Sequence, residues 1–526
     1  MCTVIAVGPQ ASADGSTWLS HSDTGPDSRI RKVAAQDHAP GSLAAVHWGL
    51  QEIRSPDLQH HGEVIGHIEQ VAHTHAYFHS AYSHINEHQL ALAESTTSQR
   101  PELQCPRGEG EQIMTIEQAM VFALQRCRRA REAVALVGEL MERHGFLSSC
   151  GDGSELLVAA DPGEMWVFEV VGVGRGWQRA SGEPGAIWAA RRIPDDHVLM
   201  AANWSVLAEI DVDDHENVQA CAHLRSFAQA RGWARPDDDG RRFNWRDTYC
   251  PIPREWATGR LWAFYSDVTP NLRAWPQRRL ESGQSWRTLD AYGQEVEPLD
   301  IYPMSAKPER RLAREDLTRF HRSALEGTVY DTTEQPAWYV MDEKGQLAKS
   351  PLATPFPGPE LRRLLKLTPR RPVARHFGHY TAFCQLRRDR PDDVAGVYWV
   401  ALDNPLVSTW VPIPLATSSV HESFSTHDPE QFSEASARWC IDFVDNLMRL
   451  EFQTALPILQ SLREPFEAGL LARWARLDQQ LAEEPDARRR ADAATAFVHA
   501  VMGELPLLYR QIREQMLVRL TNNRWV

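Results

Sequence analysis

The hydrophobic and polar positions of the chain change period several times, and each change marks an element. Thr3 to Val7 is β-rich, Ala11-Ser-Ala-Asp-Gly-Ser16 is turn chemistry with Asp14-Gly15 as its hairpin signal, and Thr17 to Ser22 continues extended. Thr115-Ile-Glu-Gln118 is a capping box that opens a helix running through Met141. Within it Ala133, Leu136, Val137 and Leu140 form one apolar stripe, and Gly145 is placed to end it as an αL cap. Leu156 to Ala160 and Met165 to Val171 then read as a hairpin around Asp161-Pro-Gly163, and Val198 to Ala202 as another short strand.

The glycines at 172, 174 and 176 follow a strand without the helix and acidic residue of a dinucleotide fingerprint, so they predict a loop. Asp211 to Glu216 predicts a solvated turn or helix start. Further on, Glu309 to Leu325 predicts a helix, 350 to 374 a surface loop, and Gly396 to Leu402 with Ser408 to Pro412 a strand pair. From about Gln431 the pattern is mainly helical, with a break at Glu484-Pro485-Asp486. Hairpins interleaved with helices predict a layered α+β fold.

Composition narrows the partners. With 526 residues and 43% hydrophobic content there is material for a large core. A net charge of −14 without a basic run argues against nucleic acid and anionic membranes. No apolar run reaches membrane-spanning length, and the N-terminus lacks a signal-peptide pattern, so a cytoplasmic protein is expected. The eight cysteines are scattered without a C-x-x-C pair, so neither a disulfide framework nor a tetrahedral zinc site is expected. His60, His61, His67, His73, His75, His79, His84 and His88 crowd one segment. Without an H-E-x-x-H motif or a nearby cysteine, they read as loop and sheet-surface residues, and no metal or cofactor is expected.

Cys2 is singled out by position. Once Met1 is removed, one residue carries a thiol and a free α-amine. That amine has a pKa of about 8 and can accept the thiol proton. The blocks that follow carry a resemblance. Met1-Cys-Thr3, Ala11 to Ser16, Ser20-His-Ser-Asp23 with Asp27-Ser-Arg29, Asn86 to Leu90 and Glu94-Ser-Thr96 stand in order. So do Ala160 to Glu169, Ala202-Asn203, Glu326-Gly-Thr328 with Tyr330-Asp331, and Trp399, Asp403 and Ser408 to Pro412. On these residues the chain resembles the dipeptidase A-like cysteine dipeptidases of the N-terminal-nucleophile hydrolase superfamily. More distantly it resembles bile-salt hydrolases and penicillin V acylases.

The resemblance implies a four-layer αββα sandwich over residues 2–430, with insertions, and a helical C-terminal region over 431–526 packed on it. It implies a catalytic set of Cys2, Asp23, Asn203 and Arg260: nucleophile, holder of the amine, oxyanion donor and active-site arginine. Arg254 competes with Arg260 for that last role. Asn86 is a second amide donor toward oxyanion or substrate. Ser20 stands where relatives often place an arginine, and His21 beside it is a candidate to support the thiolate or substrate. The implied activity is hydrolysis of dipeptides through a Cys2 thioester. The alternatives are a non-peptide amide acylase or a secernin-like non-catalytic protein. Small dipeptide substrates are the expected partners, and relatives of this kind often form homo-oligomers.

Overall fold

The computed structural model describes residues 2–24, 27–49, 62–149, 151, 153–233, 241–251, 255–269, 288–289, 295–296, 302–328 and 330–521. It is a mixed α and β protein of two compact units. The first comprises Met1–His21, Arg31–Ala313 and Phe383–Gly396; the second comprises Ser22–Ile30, Arg314–Ala382 and Val397–Val526.

In the first unit, β1 (Thr3–Val7) is followed by β2 (Thr17–Asp23), which enters the second unit at Ser22. Gly8 closes β1 because the backbones touch there: a Cβ would fall 2.1 Å from the Asp195 carbonyl oxygen. An eight-stranded antiparallel sheet takes in β3 (Arg31–Val33), β4 (Tyr77–His79), β5 (Ile85–Asn86), β6 (Ala91–Thr97), β7 (Ser154–Ala160), β8 (Met165–Val171) and β9 (Ile187–Ile193). β10 (Val198–Ala201) leaves it to pair with β1, and β11 (Val218–Ala220) completes it on the outer edge of β9.

β6, β7 and β8 are buried along their whole length. The near-continuous apolar runs of β7 and β8 follow from this, since both faces are covered. Helices α1 (Ile116–Arg126) and α2 (Ala130–His144) lie on one face, and β1 of the other sheet lies against β6 on the opposite face. A further helix, α3 (Glu255–Val268), packs on β10.

The helix expected from Thr115 through Met141 is therefore two. Cys127 is extended, at φ −113° and ψ 153°, and α2 restarts after Arg129 with Glu132 closing a capping box. Asn86 accounts for the stop, because its Nδ2 donates to the carbonyls of Leu124 and Cys127, both at 2.8 Å. Gly145 ends α2 with positive φ, but its ψ of 124° is extended rather than αL. Asp161 shapes the β7–β8 turn by accepting from the Gly163 and Glu164 N–H groups, and it also accepts from Ala130 at the start of α2.

In the second unit β12 (Val397–Leu402) pairs antiparallel with β13 (Val411–Pro414). The helices α4 (Ala437–Met448), α5 (Phe452–Glu483) and α6 (Ala487–Thr521) pack on one another, and α4 and α6 pack on these strands. The break at Glu484-Pro485-Asp486 is present. The helix expected over 309–325 is shorter, Arg314–Arg322, and the expected loop 350–374 contains a helix, Pro359–Leu365. The Glu326 to Asp331 block is a turn: Asp331 accepts from the Gly327 and Thr333 N–H groups and Glu326 from Ala324. Buried Asp403 pairs with Arg438 at 2.8 Å.

Candidate active site

The register of β1 against β10 builds the first part of the site. Val4 lies opposite Ala201 and Ile5 opposite Met200, so the run extends to Cys2 opposite Asn203. Asn203 has φ +63°, a left-handed conformation in which Asn is among the tolerated residues. Its N–H donates to Ser95 Oγ at 2.9 Å and its Nδ2 to the Thr96 carbonyl at 3.0 Å, both on β6. One hydrogen of that Nδ2 is left over. Glu169 on β8 holds the chain just beyond, accepting from Val206 N, Leu207 N and Ser205 Oγ.

Arg260 on α3 is fully buried and joins these parts. Its Nη1 donates to the Cys2 carbonyl at 2.6 Å and to Thr3 Oγ1 at 2.9 Å. Its Nη2 donates to the Ala202 carbonyl and to Asn203 Oδ1, both at 3.0 Å. The guanidinium fork thus fixes Cys2 and Asn203 to each other.

The Cys2 thiol is 2% exposed and donates to Glu94 Oε1 on β6 at 2.8 Å. The same oxygen lies 3.2 Å from His21 Nε2, and His21 Nδ1 lies 2.9 Å from His84 Nε2. One ligand atom each from Cys2, His21 and Glu94 falls within a 4.8 Å group, so the trio can also take up a thiophilic metal ion.

Glu155 on β7 is a further buried carboxyl beside Glu94. Burial, the Glu94 carboxylate and Glu117 push it well above the usual range, so it is neutral in the folded protein. Folding above the ordinary carboxylate range therefore takes up a proton, and stability falls as pH rises. Glu155→Gln, which is permanently neutral, is expected to melt a few degrees above the parent at about pH 8 and to converge with it near pH 4. Calorimetry showing a constant difference across that range would rule this out.

Cys2, His21, Asn203 and Arg260 are therefore brought together. Asn86 is not part of this group. Both hydrogens of its Nδ2 are held by the Leu124 and Cys127 carbonyls, and its Oδ1 accepts from the His88 and Leu90 N–H groups, which leaves no side-chain donor for an oxyanion. Asp23 belongs to the second unit, where it is buried and its carbonyl accepts from the His379 N–H at 2.9 Å. Met1, Arg254, His60 and His61 lie outside the described residues.

The histidines expected on loops and sheet surfaces differ from that expectation. His79 and His84 are buried, because their segment enters the inner sheet, and His84 joins the Cys2 group. Glu94 and His84 carried no role in the sequence reading. A carboxylate inside the otherwise apolar and hydroxylic Ala91–Thr97 strand was the available signal. A cavity of about 310 Å³ opens elsewhere in this unit, lined by His47, His75, Tyr77, His79 and Phe122; no member of the Cys2 group lines it.

The model of peptidase family C69 matches residues 1–464. The chain belongs to peptidase family C69. A probable dipeptidase B of Lactococcus lactis is 22% identical over 490 residues, covering 91% of this chain and 87% of that protein. A dipeptidase A of Lactobacillus helveticus is 22% identical, covering 81% and 77%. A probable dipeptidase of Latilactobacillus sakei is also 22% identical, covering 74% and 67%. Among solved structures, a C2A mutant of conjugated bile acid hydrolase from Clostridium perfringens matches at 10% identity and a TM-score of 0.21, covering 52% of this chain and 73% of that one. A score that low carries no argument about this fold. The expected resemblance to a peptidase family is borne out by the C69 match. No helix among the described residues is long and apolar enough to cross a membrane.

Proposed function

We propose that this C69 member is a cysteine dipeptidase acting through an N-terminal nucleophile. The observation that carries the reading is the Arg260 fork, which holds the Cys2 carbonyl and the Asn203 amide in one buried arrangement. After Met1 is removed, the Cys2 α-amine takes the thiol proton and the sulfur attacks the peptide carbonyl carbon. The remaining Nδ2 hydrogen of Asn203 donates to the oxyanion, a contribution of about 3 kcal/mol in comparable sites. The α-ammonium returns the proton to the departing amino acid. Water then hydrolyses the Cys2 thioester and regenerates the thiol.

In this reading Asp23 holds the α-amine. His21, which shares Glu94 with the thiol, supplies the support that Ser20 cannot. The two sheets form the inner layers of an αββα core over residues 2–430, with 431–526 as a helical extension, and the protein works in the cytoplasm on free dipeptides.

The test uses protein whose free Cys2 is confirmed by mass spectrometry, offered a panel of dipeptides with and without chelator. Chelator-independent hydrolysis sensitive to a thiol reagent is expected. Failure on every dipeptide overturns the reading.

The 2.8 Å contact between Cys2 Sγ and Glu94 Oε1 favours a second version, in which Glu94 takes the thiol proton. The two versions separate cleanly. If the amine is the base, a protein with an acetylated Cys2 is dead, while Glu94→Gln retains hydrolysis within about tenfold. If Glu94 is the base, Glu94→Gln lowers kcat by about 10² to 10⁴, the ordinary weight of a general base, and acetylation is tolerated.

A further inference from the structure

A second group of ligating side chains lies in the first compact unit, in the segment where the sequence predicted only surface histidines. The short strand His73–Thr74 pairs with Gln36–Asp37, setting Asp37 opposite His73. Asp37 Oδ1 lies 2.7 Å from His73 Nδ1. Glu87 is locked against the next residues: its Oε1 accepts from the Ala76 N–H at 2.9 Å, and its own N–H donates to the Ala76 carbonyl at 2.8 Å. Asn86 shapes the turn by accepting from the His88 N–H at 3.0 Å. Three separate segments are thus held in place around these imidazoles.

The imidazole nitrogens converge. His75 Nδ1 is 3.2 Å from His88 Nε2 and 3.7 Å from Glu87 Oε1. One ligand atom each from His73, His75 and Glu87 lies within 4.8 Å of the others. Nitrogen and oxygen ligands about 2.05 Å from a tetrahedral zinc ion stand about 3.3 Å apart, and the 3.7 Å edge between His75 and Glu87 is close to that spacing. His75 is buried while the His73 side chain is 49% exposed, which leaves an entry path. Arg128 opposes a cation here; Glu87 acts against it at His75 and His88, and Asp392 at His88.

We propose that His73, His75 and Glu87 form a zinc site separate from the Cys2 group. Two imidazoles and one carboxylate leave the fourth position of a tetrahedral shell to a water molecule. Asp37 acts from behind His73, fixing its ring and tautomer. The ion would staple the 36–37 and 73–76 segments to the 86–89 turn.

The test is zinc binding by full-length Cys2→Ala protein stripped with chelator, since the thiolate of the Cys2 group is a competing ligand. One Zn²⁺ per chain and a raised melting temperature are expected. Cobalt substitution should give tetrahedral d–d bands without a thiolate charge-transfer band, and in protein with Cys2 intact the same d–d bands should persist. His73→Ala and His75→Ala should abolish binding. Asp37→Asn should weaken it by about 10- to 100-fold, as for other partners behind a metal-bound histidine. Asp37 is exposed, so that last variant decides the matter even if the histidine variants do not fold. No zinc uptake by the Cys2→Ala protein, or affinity unchanged in Asp37→Asn and in the folded histidine variants, overturns the proposal.

Discussion

Cys2→Ala is expected to abolish dipeptide hydrolysis, with a fall in kcat of at least about 10⁴, the scale seen when a nucleophile acting with its base is removed. The reason is that no other described cysteine can stand in. Cys105, Cys127, Cys221, Cys250, Cys384 and Cys440 are all buried, and burial raises each of their thiols above the usual cysteine range. The protein should still fold. The substitution removes one thiol and its bond to Glu94, a loss of about 1 kcal/mol, and Glu94 keeps His21 as a partner. Steady-state kinetics beside a thermal melt checks both halves. Residual hydrolysis within about tenfold of the parent would remove Cys2 from the chemistry.

Arg260→Met should be almost as damaging, for a different reason. Arg260 is a positioning residue, and its four bonds end on the Cys2 carbonyl, the Thr3 hydroxyl, the Ala202 carbonyl and Asn203 Oδ1. Methionine fills similar space but leaves those buried acceptors without a donor. A destabilisation of about 3–5 kcal/mol is the usual scale for breaking a buried charged network. Misplacing nucleophile and oxyanion donor by about 1 Å costs on the order of 10² in rate, so a loss of about 10² to 10³ in kcat is expected. KM should move less, because the guanidinium is turned toward the protein rather than the substrate. Arg260→Lys should recover only part of the loss, since one ammonium cannot reach four acceptors in a fork. A variant that melts lower yet keeps full kcat when folded would assign Arg260 to stability alone.

Glu155→Gln and the Cys2 group address the same buried sheet face from two sides. Glu155 is a neutral carboxyl beside Glu94, so the pH dependence of stability in the parent carries a contribution from the site itself. In the second unit Asp445, pushed up to about 7 by burial, adds a contribution of the same sign, so stability is lost there as pH rises toward neutrality. The pH series on Glu155→Gln should therefore be read as a difference from the parent.

Local pattern determined a good deal of this protein. The β-rich runs at Thr3–Val7 and Met165–Val171, the turn chemistry at Asp14-Gly15 and the proline at 485 act within a few residues, and the structure has strands, turn and helix break where they predict them. The position of Cys2 at the free end of a strand was readable for the same reason. What the sequence could not determine is which side chains meet. The helix interruption at Cys127 depends on an Asn86 amide arriving from another strand, 38 to 41 residues away. Cys2 meets Glu94 across 92 positions and Arg260 across 258. Those meetings depend on the β1–β10 register, on β1 lying against β6 and on where α3 docks. Periodicity specifies only that a residue faces inward; register and packing, set by the whole core at once, specify what it faces.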